Sequence, residues 1–297
     1  MVGLGCNNFG MRVDAEGTRA VVDAALDAEV SLLDTADTYG KGLSEEYLGR
    51  ALEGRRDRIV LATKFGNPMS DDDELPLGSP EYIRKAVAGS LRRLRTDWID
   101  VYQYHRPDGV TPIEDTLGAL NELVEEGTVR FIGSSNFNAS QIEEADRIAS
   151  EHGWTRFVSA QNEYSLLERQ VEEKLLPTCE RLGIGFLPYF PLASGLLTGK
   201  YRRGEDPPEG ARLAGRPERL TSEVFDRIEA LERYAEEREV TLLHVAIGGL
   251  LAQPPVASVI AGATKPEQVR ANAAAGEWEP TEEDMRELHE VLAGIAA

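Results

Sequence analysis

Residues 31–50, SLLDTADTYGKGLSEEYLGR, set the pattern from which the fold is predicted and carry the first candidate reactive groups. The opening run is apolar and too short for a helix, which predicts a buried strand that ends at Asp34. Tyr39 follows in a glycine-bounded turn, and Ser44 with two glutamates after it is typical of a helix start. The stretch therefore predicts a strand, a loop that holds an acid and a phenol, and a helix.

The same unit recurs on both sides of this stretch, as short apolar runs alternate with segments of helical periodicity. Strands are predicted over residues 2–6, 31–34, 59–63, 99–104, 129–133, 157–160, 184–187 and 256–260. The helices that follow them are predicted over residues 14–29, 44–52, 79–94, 112–126, 139–151, 171–182, 222–239 and 266–275. Two additional helices are predicted over residues 241–251 and 281–292.

This alternation predicts a parallel sheet covered by helices. Eight units in 297 residues fit a closed (β/α)8 barrel better than an open doubly wound sheet, and no dinucleotide-binding glycine fingerprint follows the first strand. Linker-like or low-complexity runs are absent, so residues 1–297 are predicted to form a single barrel domain. The long segment 200–217 is interpreted as a loop within the seventh unit.

Composition and charge exclude several classes of partner. With 32 basic against 52 acidic residues, the net charge of -20 argues against nucleic acid and anionic lipid. Two cysteines and four histidines without zinc spacing predict neither a disulfide framework nor a bound metal. No export signal or membrane span is recognisable, so we expect a cytoplasmic protein; its oligomeric state is left open.

Four reactive side chains lie at neighbouring strand ends of the predicted barrel. Asp34 and Tyr39 follow the second strand, Lys64 the third and His105 the fourth. Because the carboxyl ends of all barrel strands share one face, we expect these groups to lie together. Lys64, held by Asp34, is expected to lower the pKa of Tyr39, which can then protonate an oxygen. His105 can donate a hydrogen bond to the same oxygen while a cofactor supplies hydride.

The remaining strand ends predict a groove for that cofactor. Amide side chains follow the fifth and sixth strands, where they can pair with a carboxamide. Tyr189, with Pro191 and Leu192 after it, follows the seventh strand and can stack on a nicotinamide ring. Small residues lead from the eighth strand into a helix, whose first backbone amides and dipole favour phosphate.

The segments that carry these residues resemble the aldo-keto reductase superfamily over essentially the whole chain. They are DTADTYGKGLSEEYLGRAL, ATKFG, HRPD, IGSSNFN, QNEYSLL and GLLTGKY, in the order that the family uses. The resemblance implies a TIM barrel and a catalytic set of Asp34, Tyr39, Lys64 and His105, with Tyr39 as proton donor. It also implies reduction of an aldehyde or ketone to the alcohol, with NADPH or NADH as cofactor.

The resemblance implies roles for cofactor-binding residues as well. Ser135, Asn136 and Gln161 match the carboxamide ligands, and Tyr189 matches the stacking aromatic. At the phosphate and adenosine end, the matching residues are Lys200, Arg212, Gly262, Thr264, Gln268 and Asn272.

Three further features of the sequence bear on the cofactor and the fold. Lys265 and Arg270 are candidates to meet a 2′-phosphate, which favours NADPH over NADH. Ala271 stands where relatives often carry an acid for the adenine amine. The chain begins almost directly in the first strand, so we expect a barrel without the amino-terminal hairpin plug of many relatives.

A rival interpretation is a non-catalytic nicotinamide-binding subunit that uses the groove as a redox sensor, like the channel-associated members of the superfamily. The complete catalytic set favours the enzyme. A barrel hydrolase is less favoured, because only Asp34, Glu163 and His105 are available at strand ends for carboxylate or metal chemistry. The sequence leaves the identity of the aldehyde or ketone open.

Overall fold

A computed structural model describes residues 1–69 and 74–294 of the chain. Its eight strands form one parallel sheet in the order β7-β6-β5-β4-β3-β2-β1-β8. They are β1 (Val2–Gly5), β2 (Leu32–Asp34), β3 (Val60–Phe65), β4 (Ile99–Tyr104), β5 (Val129–Ser135), β6 (Phe157–Gln161), β7 (Gly185–Phe186) and β8 (Val259–Gly262). Each predicted strand therefore has a counterpart, although the eighth begins at Val259 because Val256 makes only an isolated bridge.

Helices lie between the strands and cover the outside of the sheet. They are α1 (Ala15–Asp27), α2 (Leu43–Ala51), α3 (Pro80–Leu94), α4 (Ile113–Glu125), α5 (Ala139–His152), α6 (Leu175–Leu182), α7 (Ser222–Glu236), α8 (Leu242–Leu251), α9 (Pro266–Ala275) and α10 (Glu282–Gly294). The helix predicted from residue 171 starts later, since Gln170–Glu172 forms a separate 3-10 turn. None of the helices in the described ranges is long and apolar enough to cross a membrane.

Backbone hydrogen bonds join the two ends of the sheet. The amide of Ala257 donates to the carbonyl oxygen of Phe186 at 3.0 Å, and the amide of Ile260 donates to that of Pro188 at 3.1 Å. Each bond joins a residue of one of these two strands, Phe186 of β7 or Ile260 of β8, to a residue just outside the other strand, so the sheet curls back on itself. The predicted (β/α)8 architecture is confirmed.

The barrel interior changes from apolar to polar along the strands. A small buried cluster of Leu32, Ala62, Leu187 and Ile260 lies inside the sheet. Nearer the amino-terminal end, the side chain of Phe131 in β5 is 51% exposed, so the described part of the chain covers it only in part. Polar groups are gathered at the carboxyl ends of the strands, which is where TIM barrels carry their sites.

A close approach of two helices positions the loop that holds Tyr39. A Cβ added to Gly49 in α2 would lie 2.5 Å from the carbonyl oxygen of Arg93 in α3. Glu45, at the start of α2, is buried and accepts hydrogen bonds from Thr63 Oγ1 at 2.6 Å and Arg93 Nε at 2.7 Å. The helix that directly follows the Tyr39 turn is therefore anchored to both β3 and α3.

We predict that Gly49→Ala lowers the free energy of unfolding by about 1–3 kcal/mol, because the new methyl group meets backbone atoms that cannot rotate away. In an open helix the same change would stabilise by about 1 kcal/mol. Urea denaturation measures the difference. Gly118→Ala in α4 is the control, since its nearest neighbour is the movable ring of Trp154 at 3.3 Å. A Gly49→Ala protein as stable as the control would contradict the close approach.

Candidate active site

A buried ion pair lies at the centre of the carboxyl end of the barrel. Lys64 is 1% exposed, and its Nζ donates to Asp34 Oδ2 at 2.6 Å and to the carbonyl oxygen of Thr35 at 2.8 Å. Burial acts to lower the pKa of Lys64, but the charges and hydrogen bonds of Asp34 and Tyr39 outweigh it and raise the pKa. The ammonium is therefore a fixed cation at neutral pH.

Two buried amides hold the other oxygen of the same carboxylate. Gln103 Nε2 donates to Asp34 Oδ1 at 3.0 Å, and Gln161 Nε2 donates to it at 2.9 Å. Gln161 was predicted to bind the carboxamide of the cofactor, but in this structure its side-chain nitrogen is hydrogen-bonded to Asp34. Gln103 was missed from the sequence, although it pairs in register with Lys64 and lies two residues before His105. The period-two alternation of a strand was the signal that could have found it.

Tyr39 lies against this pair. Lys64 Nζ donates to its hydroxyl at 3.4 Å, and its ring meets the ring of His105 edge-on, with 5.9 Å between centroids. The turn after Tyr39 requires Gly40, whose φ is 57° and whose added Cβ would lie 2.9 Å from the carbonyl oxygen of Phe9.

The net shift in the pKa of Tyr39 is opposite to the one predicted from the sequence. Burial of the phenol raises the pKa, and the lowering effect of the Lys64 ammonium is smaller. The prediction considered the charge and omitted the desolvation. Tyr39 is therefore protonated at neutral pH, as a proton donor must be.

His105 is a neutral imidazole. Burial, followed by the positive charges of Lys64 and Arg106, lowers its pKa to about 3. Its backbone amide donates to the carbonyl oxygen of Phe65 at 2.8 Å, and its buried Nδ1 has no hydrogen-bond partner in residues 1–69 or 74–294. A neutral ring keeps one N–H that can be donated to an oxygen in the groove.

The residues that were predicted to contact the nicotinamide are held in place by hydrogen bonds within the protein. Asn136 has a φ of 58° and donates through Nδ2 to the carbonyl oxygen of His105 at 2.9 Å and to Ser135 Oγ at 3.1 Å. Its Oδ1 accepts from the hydroxyl of Tyr189 at 2.8 Å. Asn136 and Tyr189, which were both predicted to contact the nicotinamide, are thus hydrogen-bonded to each other.

A groove of about 530 Å³ runs from Tyr39 and His105 across the carboxyl end of the barrel. All twelve predicted cofactor-binding residues line it, as do Asp34, Tyr39 and His105, whereas Lys64 lies beneath its floor. Ala271 also lines the groove, but Lys265 and Arg270 do not. The structure therefore does not bring the two candidates for a 2′-phosphate to the groove.

Three cations lie close together at one part of the groove, namely Arg12, Lys200 and Arg212. Burial and the charge of Arg12 lower the pKa of both Lys200 and Arg212. None of the three has a carboxylate within 4.0 Å in the described part of the chain. Arg212 donates to Asn8 Oδ1 at 3.1 Å, and Arg12 donates to the carbonyl oxygen of Gly210 at 3.4 Å. Clustered cations of this kind fit a ligand with several negative charges, such as a pyrophosphate.

Arg12 was another functional candidate that the sequence did not reveal, because it meets the seventh loop only in the folded chain. Beyond the cations, Thr264 donates through its backbone amide to Gln268 Oε1 at 2.7 Å, where the chain enters α9. A Cβ added to Gly262 would lie 3.5 Å from Asn8 Nδ2. The residues predicted to bind phosphate and adenosine therefore line the same groove as His105.

The fold and the groove together define a (β/α)8 protein of the oxidoreductase kind, with a buried lysine–carboxylate pair at one end of a nucleotide-sized cleft. A profile described as the Aldo/keto reductase family matches residues 1–293. The chain belongs to the aldo/keto reductase family, which confirms the resemblance found in the sequence.

Individual relatives span most of the chain. It is 34% identical to the aldo-keto reductase YhdN of Bacillus subtilis (strain 168) over 286 residues, which cover 94% of this chain and 84% of that one. It is 35% identical over 277 residues to a probable voltage-gated potassium channel subunit beta of Oryza sativa subsp. japonica, with 89% and 83% covered. A solved aldo-keto reductase from Bacillus halodurans, in its holo form, has a TM-score of 0.79 and 34% identity, with 98% and 91% covered.

We predict that the imidazole of His105 stays neutral from about pH 8 down to about pH 5, because burial and two nearby cations oppose its protonation. NMR titration of the ring signals measures this, and the signal that disappears in His105→Asn identifies the residue. A titration midpoint above about pH 5 would show that the ring is more hydrated than the structure indicates.

We predict that Gln103→Leu lowers the free energy of unfolding by about 1–3 kcal/mol, because the buried carboxylate of Asp34 loses a donor. Urea denaturation measures the change. The matched control is Gln170→Leu, which makes the same replacement at an exposed position and is expected to stay within about 0.5 kcal/mol of the unaltered protein. Equal effects of the two substitutions would be inconsistent with a role for Gln103 in holding Asp34.

Proposed function

We propose that this protein is an NAD(P)H-dependent carbonyl reductase that converts an aldehyde or ketone to the alcohol. The observation that carries the proposal is the meeting of three groups. A protonated Tyr39, a neutral His105 and the ammonium of Lys64 surround one end of a groove whose other end is cationic. Such a set suits proton donation to an oxygen while hydride arrives at the adjacent carbon.

The groove residues fit a nicotinamide dinucleotide. We assign the pyrophosphate to Lys200 and Arg212, with Arg12 beside them, and the nicotinamide ring to the face of Tyr189. Asn136 can offer its amide to a carboxamide by exchanging the hydrogen bonds that it now makes to His105 and Tyr189. When bound, the cofactor supplies the hydride, since no protein side chain can do so.

The protein residues handle the proton and the developing charge. We place the carbonyl oxygen between the hydroxyl of Tyr39 and the N–H of His105, so that both hydrogen bonds polarise the carbonyl group. The proton passes from the Tyr39 oxygen to the carbonyl oxygen and leaves a phenolate. Lys64, held by Asp34, stabilises that anion at a distance of 3.4 Å in the resting structure.

We propose NADPH or NADH as the cofactor, because the family resemblance implies either one and the predicted preference for NADPH rested on Lys265 and Arg270. Lys265 and Arg270 lie outside the groove lining and lend no support from their positions. We likewise propose a cytoplasmic location and a small carbonyl compound as substrate. A groove of about 530 Å³ is within the size range of small-molecule sites.

A second candidate function is a nicotinamide-binding subunit that senses redox state without rapid turnover. The 35% identity to a probable potassium channel subunit beta favours it. The enzyme is preferred because the buried pair and Tyr39 form a complete proton-donating set. Mixing the protein with NADPH and a panel of small aldehydes separates the candidates: tight binding without NADPH consumption would support the sensor.

We predict that Tyr39→Phe lowers kcat by at least about 100-fold, because the ring remains but the proton donor is lost. NADPH oxidation with the best aldehyde of the panel measures the rate, and NADPH fluorescence titration measures cofactor affinity, which should be nearly unchanged. Tyr47→Phe removes a hydroxyl outside the groove and should keep the rate. Loss of cofactor binding in Tyr39→Phe, or an unaltered rate, would refute the assigned role.

A further inference from the structure

Arg106 is a cation of the groove that neither the proton-donating set nor the phosphate-binding cluster uses. It follows His105 directly, lines the groove and is exposed. No carboxylate of residues 1–69 or 74–294 lies within 4.0 Å of its guanidinium, and it forms no hydrogen bond there. It is therefore available to a ligand that enters the groove.

The position of Arg106 differs from that of the other groove cations. Its positive charge acts to lower the pKa of His105 and of Tyr189, the residues beside which the carbonyl and the nicotinamide are placed. The other three cations affect one another instead: Arg12 acts to lower the pKa of both Lys200 and Arg212. The groove thus has one cationic region for phosphates and a separate single cation beside the reacting end.

The charge of the groove also contrasts with the charge of the chain. The protein carries a formal charge of -20, yet among residues 1–69 and 74–294 the groove lining includes four cations, Arg12, Arg106, Lys200 and Arg212, and one carboxylate, Asp34. That carboxylate is already paired with Lys64. A cleft of one sign concentrates ligands of the opposite sign and orients them as they enter.

We propose that the substrate carries an anionic group, a carboxylate or a phosphate ester, which Arg106 binds while the carbonyl oxygen lies between Tyr39 and His105. This rests on the proposed function and deepens it by naming the substrate class. A guanidinium suits either anion because its donors match two oxygens at once. Arg106 directly follows His105 in the chain, so one small molecule can carry both the anion and the carbonyl.

The experiment uses aldehydes that differ in charge and little in shape. With NADPH as cofactor, kcat and KM are measured for 4-carboxybenzaldehyde against its methyl ester, and for 4-formylphenyl phosphate against 4-methoxybenzaldehyde. We expect at least one anionic member to have a kcat/KM about tenfold above its neutral partner, mainly through a lower KM. Added NaCl should reduce that ratio, since the ion pair between Arg106 and the substrate anion is exposed to solvent.

Variants assign the preference to the residue. Arg106→Met should bring the ratio of anionic to neutral kcat/KM to about one, and Arg106→Lys should retain part of it, because lysine keeps the charge and loses the planar fork. Arg92→Met makes the same charge change at an exposed site of α3 outside the groove and should leave the ratio as in the unaltered protein. Unfolding midpoints of all three proteins check that each is folded.

The proposal is overturned if both neutral aldehydes are preferred by the unaltered protein, if Arg106→Met lowers the anionic and neutral reactions equally, or if Arg92→Met abolishes the preference as well. Failure of the underlying function gives a different result. In that case no aldehyde, charged or neutral, consumes NADPH, although the cofactor still binds.

Discussion

The buried pair of Asp34 and Lys64 is the interaction on which the carboxyl end of the barrel depends. Removing two charges from water is costly, and a single ion pair rarely recovers that cost. Here the remaining hydrogen-bonding capacity is met as well: Lys64 donates to a backbone carbonyl, and Asp34 accepts from Gln103 and Gln161. Strands β2, β3, β4 and β6 each contribute one of these four side chains, so the complete network forms only when the barrel is assembled.

Burial and the charges of the same pair set the protonation states around it. Lys64 is kept charged by Asp34, and its cation helps to keep His105 neutral at neutral pH. Burial keeps the phenol of Tyr39 protonated despite the nearby ammonium. Burial and one fixed positive charge together leave a neutral hydrogen-bond donor and a protonated acid side by side, which is the combination that the proposed carbonyl reduction needs.

Family membership alone does not decide between enzyme and subunit, because relatives of about equal identity carry both kinds of name. The site geometry supports the enzyme more strongly than the alignment does. Tyr39, Lys64 and His105 meet at one end of the groove, and Arg106, which pairs with no carboxylate of the described residues, also lines it. Those features have a direct use in turnover, whereas a sensor needs only the cofactor-binding part.

Much of the structure was predictable from local sequence. Alternating strand and helix patterns gave the eight units, and the ends of the strands gave Asp34, Tyr39, Lys64 and His105, because periodicity and strand ends are local properties. Tertiary structure alone decided what depends on distance along the chain or on burial. Arg12 contacts the loop around Arg212 only after folding. Gln103 donates a hydrogen bond to Asp34 only inside a closed barrel. The pKa of Tyr39 rises because desolvation, which no motif records, exceeds the effect of the adjacent cation.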